Sequence, residues 1–336
     1  MEIAFFDIKD KVGINYFKKN LKEHKLIFFE EAIQDVPTRK YKNAQIIVVF
    51  IYSNFSKQII DKLPKLKLIL TQSTGFDHID IQYCKEKGIQ VGYVPYYGEN
   101  TVAEHTFALM LNLSRKVHKS YLRTVHDDFS IDGLRGFDLK GKVLGIIGVG
   151  HIGLHVIRIA KGFGMHVKAF DINNDSFLSE VLHFDYASLD EILKTSDIIT
   201  LHMPLNKNTY HFLDENRLKM TKKGVIIINT SRGALINTNT LYNFLKKGHI
   251  GGAALDVIEG EEHISHEDEL LNNPKLQEKL TQIIMDKNIF KMDNVIFTPH
   301  NAFNSQEALN RIMETTIENI NTFKSNGEVK YKIPLK

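Results

Sequence analysis

The chain has 336 residues, with 43 basic against 40 acidic side chains for a net charge of +3, and 43% of its residues are hydrophobic. That is an ordinary globular composition; it excludes a disordered tail, a collagen-like chain and a disulfide scaffold, and the length suggests two domains. Cys84 alone can form no internal disulfide, no apolar run approaches a bilayer span, Met1–Asp7 lacks a signal-peptide pattern, and the small charge offers no strong field to nucleic acid, so a cytoplasmic protein without membrane or nucleic-acid partners is expected.

Short apolar runs alternate with amphipathic stretches, the pattern of βαβ units and a doubly wound parallel sheet. In chain order, strands are predicted at Glu2–Phe6, Lys25–Phe29, Gln45–Ile51, Lys67–Thr71 and Gln90–Tyr93. Val94–Asn100 reads as a hinge, with Asn100 or Thr101 as the N-cap of a long buried helix over Thr101–His118. Strands then recur at Val143–Ile147, His166–Phe170, Asp197–Leu201, Val225–Asn229, Ala253–Val257 and Val295–Phe297. Many are nearly continuous Ile, Val and Leu, as expected of strands covered on both faces. Glu259–Asp293 is polar and weakly periodic, which predicts a surface excursion with one or two short helices.

Gly148-Val149-Gly150-His151-Ile152-Gly153 follows a predicted strand and opens a predicted helix, Leu154–Phe163. Glycines there permit a tight turn and close backbone approach to a pyrophosphate, which the helix N-terminus attracts. Asp171 ends the next strand, 18 residues beyond Gly153, where an acid would bond the adenine ribose hydroxyls. A carboxylate there repels a 2′-phosphate and no arginine immediately follows, so NAD is expected rather than NADP. Arg232, Glu261 and His300 each follow a predicted strand end, where open α/β sheets bind ligands. An arginine holds a carboxylate bidentately; a histidine exchanges a proton near neutral pH, and a carboxylate orients it. Singly, the three read equally well as a phosphate or surface contact, a solvated acid and a helix-cap histidine. Together, beside a nicotinamide, they suit reduction of a 2-oxo acid.

Ser73–Asp80, Tyr97–Arg115, the glycine motif, Asn229–Leu235, Gly252–Glu261 and Thr298–Phe303 together make the sequence resemble the D-isomer-specific 2-hydroxyacid dehydrogenase family from about Ser53 to Phe323. The resemblance implies two Rossmann-like domains, a substrate domain of residues 1–100 and 300–336 and an NAD-binding domain of residues 101–299. It also implies a homodimer built through the cofactor domain and the long helix. By match, Arg232 binds the substrate carboxylate, His300 is the acid/base and Glu261 pairs with it. The matching cofactor contacts, besides Gly148, Gly150, Gly153 and Asp171, are His151, Ile152, Met203, Pro204, Thr209, Thr230, Ser231, Arg232 and Asp256. Thr74 and Gly75 resemble the residues whose amides grip the carboxylate. A glutamine before the histidine, as in the formate dehydrogenase relatives, is absent.

The 39 residues from Glu261 to His300 resemble the longer insert of the D-lactate branch. Tyr52, Tyr97 and Phe303 match aromatic positions lining the substrate pocket there, though each fits plain core packing equally well. His263, His266, Glu267 and Asp268 read as a solvated loop, with no metal expected. The expected reaction is reversible transfer of hydride between NADH and pyruvate, giving D-lactate. The alternatives are another 2-oxo acid (glyoxylate, hydroxypyruvate or a bulkier one) and an NAD-sensing binding protein like the corepressor relatives.

Overall fold

Twelve strands, all paired in parallel, form two sheets in a computed structural model that describes residues 1–261 and 277–333. The strands are β1 (Glu2–Phe5), β2 (Lys25–Phe28), β3 (Ile46–Val49), β4 (Leu68–Thr71), β5 (Gln90–Gly92), β6 (Val143–Ile147), β7 (His166–Phe170), β8 (Asp185–Tyr186), β9 (Ile198–Leu201), β10 (Val225–Asn229), β11 (Ile250–Leu255) and β12 (Val295–Phe297). The chain divides into two compact units, Met1–Tyr97 with Asn304–Lys336, and Gly98–Phe303.

The first unit carries the sheet β2-β1-β3-β4-β5. Alternate residues feed opposite faces: Ala4, Ile47, Val49 and Ile69 enter one core, and Ile3, Phe5, Ile46, Val48, Leu68 and Leu70 the other. The second core is closed by Met313, Ile320 and Phe323 of the helix Gln306–Asn326. The end of the chain therefore completes the sheet begun at its start, and Tyr93 and Tyr331 are joined by a backbone hydrogen bond of 3.0 Å.

The second unit carries the sheet β12-β11-β10-β9-β6-β7-β8. Its central strands β9 and β10 are buried along their whole length. Val225 and Ile227 face one core while Ile226 and Ile228 face the other. Truncating one such residue to alanine costs about 2–5 kcal/mol, because the lost transfer energy is joined by a cavity. Sequence order reverses between β6 and β9, and the loops after those two strands flank the reversal, where open α/β sheets bind ligands.

Several boundaries differ from the sequence reading. Residues 98–100 and 300–303, assigned above to the substrate domain, belong to the second unit. The long helix starts at Glu99 with Gly98 as its N-cap and no side-chain cap, so neither Asn100 nor Thr101 fills that role. It ends at Arg115 because Lys116 turns left-handed, and a second helix, Val117–Val125, follows. Asn112 spans the break, accepting from the His118 backbone N–H at 2.9 Å. Strand β11 begins at Ile250, three residues before the predicted start, with a register shift between Val225 and Ile226 that passes over Gly251. Strand β8 was not predicted; two residues leave no period to read. Within Glu259–Asp293, a helix runs over Gln277–Phe290, and His263, His266, Glu267 and Asp268 lie outside the described residues.

Candidate active site

The glycine motif forms the loop between β6 and the helix His151–Gly162, which starts three residues earlier than predicted. Gly148 has φ +100, and a Cβ there would run into the carbonyl of His202, so only glycine lets the loops after β6 and β9 approach this closely. Gly150 is the helix N-cap; no side chain caps the first turn, and beyond its own stretch of chain nothing lies within 4 Å of where its Cβ would stand. Open space above uncapped N–H groups fits a pyrophosphate. Asp171 follows β7 and is held by two backbone donors, Val149 N–H at 2.7 Å and Asn173 N–H at 2.9 Å. The residues present therefore fit a dinucleotide. His151 is exposed, Ile152 and Met203 are half-buried, and Pro204 is exposed. Thr209 closes its own loop, its hydroxyl donating to Pro204 O at 2.7 Å and accepting from Asn206 N–H at 2.8 Å. Burial pushes the His202 imidazole down to about 3, so the ring is neutral, with Nε2 2.9 Å from Thr200 Oγ1.

Arg232 stands three residues beyond β10, on a loop pinned from both sides. Asn229 Nδ2 donates to Arg232 O at 2.8 Å, and Ser231 Oγ donates to Leu201 O at 2.6 Å. The Thr230 and Thr106 hydroxyls are 3.1 Å apart. A Cβ on Gly233 would overlap the backbone of Ile258 and Glu259, so this glycine sets the Arg232 loop directly against the loop that carries Glu261.

His300 follows β12 in the left-handed region, φ +49, a conformation that costs a non-glycine residue free energy unless its surroundings hold it. Asp256 holds it. That carboxylate is fully buried and accepts from Asn301 N–H and Ala302 N–H, both at 2.8 Å, and from the Thr298 hydroxyl at 2.5 Å. The Asp256 carbonyl also receives His300 N–H at 2.8 Å. Asp256, matched above to a cofactor contact, thus has both oxygens engaged by the His300 turn. Glu261 Oε1 lies 2.7 Å from His300 Nδ1, and both side chains are largely shielded. The Nδ1–H must donate to that carboxylate, which leaves Nε2 as the ring nitrogen for proton exchange. Strands β10, β11 and β12 are neighbours in the sheet, which brings the Arg232, Glu261 and His300 loops to one edge.

The sequence reading missed two supporting groups. His105, from the long helix, sets Nε2 3.1 Å from Thr298 Oγ1 and 3.4 Å from Asp256 Oδ1. His211 Nε2 is 2.8 Å from Glu259 Oε1, which also accepts from the Tyr210 hydroxyl at 3.1 Å. That pair ties down the loop between β11 and Glu261. No local pattern reports either contact, since the partners lie far apart in sequence. In the first unit, Thr74 is exposed and Gly75 half-buried on the loop after β4. Tyr52 is 45% exposed, so it is not core. Tyr97 in the first unit and Phe303 in the second are half-buried. Among the described residues no group of three or more His, Cys, Asp or Glu side chains could hold a metal ion, and no helix is long and apolar enough to cross a membrane.

Residues 107–302 match the family model of the D-isomer specific 2-hydroxyacid dehydrogenase NAD binding domain. The chain is similar to a D-lactate dehydrogenase of Escherichia coli, 35% identical over 328 residues that cover 95% of this chain and 96% of the relative. It is also similar to an aromatic 2-oxoacid reductase of Clostridium sporogenes, 39% identical over 269 residues, 79% of this chain and 78% of the relative. Among solved structures, D-lactate dehydrogenase from Aquifex aeolicus, complexed with NAD and lactic acid, superposes with a TM-score of 0.87 at 34% identity, covering 98% of this chain and 99% of that one.

Proposed function

This chain belongs to the D-isomer-specific 2-hydroxyacid dehydrogenase family and is an NAD-dependent oxidoreductase, and on that premise we propose that its reaction is the reversible reduction of pyruvate to D-lactate. The observation that carries the reading is the 2.7 Å Glu261–His300 pair on the sheet edge that also presents Arg232. A bound NADH would supply the hydride for C2 of the oxo acid. His300 delivers the proton to the carbonyl oxygen from Nε2, and Glu261 keeps the ring in the orientation to do so. Arg232 sets its planar fork against the substrate carboxylate. Thr74 and Gly75 hold a carboxylate through their backbone N–H groups. Gly148, Gly150, Gly153, His151 and Ile152 would hold the pyrophosphate, and Asp171 the adenine ribose; Met203, Pro204, Thr209, Thr230 and Ser231 would line the rest of the cofactor site. Asp256 serves the chemistry by fixing the His300 turn. Tyr52 and Tyr97 of the first unit are assigned to substrate contacts, and so, in the second unit, is Phe303.

The second reading is a bulkier 2-oxo acid, favoured by the likeness to the aromatic 2-oxoacid reductase. Steady-state kinetics with NADH over glyoxylate, pyruvate, hydroxypyruvate, 2-oxoisocaproate and phenylpyruvate decide between them, with the product assayed for configuration. The pyruvate reading expects the highest kcat/KM on pyruvate and D-lactate as product. A clear preference for phenylpyruvate transfers the assignment to the second reading. In Glu261→Gln the partner charge is lost and the shape kept. Reduction and oxidation should both lose kcat/KM, because the one His300 ring that Glu261 orients serves both directions. Unchanged kcat/KM in both directions would remove Glu261 from the mechanism.

The exposed apolar side chains of Val117, Tyr121, Leu122, Val125, Phe129 and Ile131 support a homodimer formed through this region of the cofactor unit.

A further inference from the structure

Behind the loop after β4 lies a run of hydrogen bonds whose direction is fixed by its last member. Ser73 Oγ donates to the carbonyl of Gly75 at 2.6 Å, and a carbonyl can only accept. The single hydroxyl proton of Ser73 is thereby committed. The 2.6 Å contact between Thr71 Oγ1 and Ser73 Oγ must then have Thr71 as donor. With the Thr71 proton committed in turn, the 3.1 Å contact between Thr71 Oγ1 and His78 Nε2 requires a proton on Nε2. The order is His78 Nε2–H to Thr71, Thr71 to Ser73, and Ser73 to Gly75 O. Thr71 and Ser73 are buried, with exposures of 1% and 2%, so bulk water does not compete for these bonds. His78 is fastened by its own backbone, its carbonyl accepting from Phe55 N–H at 2.8 Å. Thr74 is anchored separately, its hydroxyl donating to Val94 O at 3.0 Å.

We infer that His78 is a positioning residue for the substrate carboxylate, acting through Thr71 and Ser73 as the Nε2–H tautomer or as imidazolium. This rests on the reading that the Thr74 and Gly75 amides hold that carboxylate. The Thr74–Gly75 peptide, which carries the Gly75 N–H, lies between two anchors, the Thr74 side chain before it and the Gly75 carbonyl after it, so both residues are held before substrate arrives. Preorganised donors act without a reorganisation cost at the moment of binding. The acid/base and hydride steps do not involve the relay, so its loss acts on KM and spares kcat.

The test uses the full-length enzyme with NADH. Thr71→Val and His78→Leu each remove one link, and each should raise KM for the best 2-oxo acid of the panel about ten-fold, the scale of one hydrogen bond. kcat should stay within about two-fold, since only binding is touched. His78→Gln keeps an amide donor and should restore most of the loss. Because the links act in series, the double variant Thr71→Val/His78→Leu should be no worse than Thr71→Val alone. Nitrogen-15 spectra of the histidines should show His78 protonated at Nε2. Titration of the NADH-loaded enzyme with oxamate, a carboxylate analogue of pyruvate, should move the amide resonances of Thr74 and Gly75. Moving amides with unchanged KM in the variants, or a His78 ring lacking its Nε2 proton, overturns the role of His78 and leaves the carboxylate site standing. Amides that ignore oxamate overturn the carboxylate site, and the inference falls with it. If Thr71→Val fails to fold, Ser73→Ala interrupts the same run and carries the same expectation.

Discussion

Arg232 is fixed through its backbone: Asn229 holds its carbonyl, and Gly233 sets its loop against Ile258 and Glu259. A lysine there keeps the charge and loses the planar, two-pronged donor. Arg232→Lys should therefore lower kcat/KM for pyruvate by about 1–3 kcal/mol in free-energy terms, while NADH affinity is nearly unchanged. Fluorescence titration of NADH beside steady-state kinetics separates the two quantities, and unaltered pyruvate kinetics would remove Arg232 as the carboxylate anchor. Asp171 makes a second residue-scale case. Its carboxylate is acceptor-only and held by the Val149 and Asn173 N–H groups, and its proposed role is to accept from ribose hydroxyls and repel a phosphate. NADH should outperform NADPH by a wide margin in kcat/KM. Asp171→Ala should narrow that margin from both sides, by losing ribose hydrogen bonds and by relieving repulsion. Equal kcat/KM for the two cofactors in the unmodified enzyme would contradict this.

At the scale of an element, the helix Val117–Val125 has no buried residue, although Val117, Tyr121, Leu122 and Val125 are all apolar or aromatic. Phe129 and Ile131 just beyond it are 77% and 82% exposed. The proposed homodimer would cover this surface with the same surface of a second copy, related by two-fold symmetry. Placing a charge in it, as Tyr121→Glu with Leu122→Lys, should shift sedimentation velocity from dimer to monomer at micromolar protein. A wild-type chain that sediments as a monomer would end the proposal. The element's origin also explains a misread boundary. The apolar pattern runs on past Arg115, so one helix is predicted to His118; the left-handed turn at Lys116 divides it in two, and Asn112 bridges the break.

For the whole molecule, the pH dependence of stability has an identifiable source in the first unit. Asp7 lies just past β1 with φ +59, and burial pushes its carboxyl up to about 6 despite hydrogen bonds from Ser53 and from Phe50 N–H at 3.0 Å; Asp35 adds to the rise. A folded-state value above the unfolded 3.8 means that the folded chain holds this proton more tightly. The corresponding stability is fully present below pH 3.8 and is lost as the pH rises through about 6. Asp7→Asn removes the titration. Relative to the wild type, the variant should gain roughly 1–2 kcal/mol between pH 4 and pH 7.5, after allowance for partial solvent access. Urea unfolding at both pH values measures it, and a pH-independent difference would show that Asp7 does not titrate between them.

What the sequence by itself determined is whatever depends on neighbours along the chain. Continuous Ile and Val runs such as Val225–Asn229 demand cover on both faces, which gives a parallel sheet. The spacing from Gly148 through Gly153 to Asp171 requires a strand, a turn and a helix in register, which gives the proposed NAD site its frame. The positions of Arg232 and His300 just past strand ends are equally local. What only the tertiary structure decided is which distant groups meet. Asp256 carries no mark of its task until the Thr298–Ala302 turn closes on it. The His211–Glu259 pair and the reach of His105 to Thr298 likewise need the second sheet assembled first. Hydrogen bonds between residues remote in sequence leave no period in it, because their geometry is set by which strands lie side by side and by what burial then forbids to go unpaired.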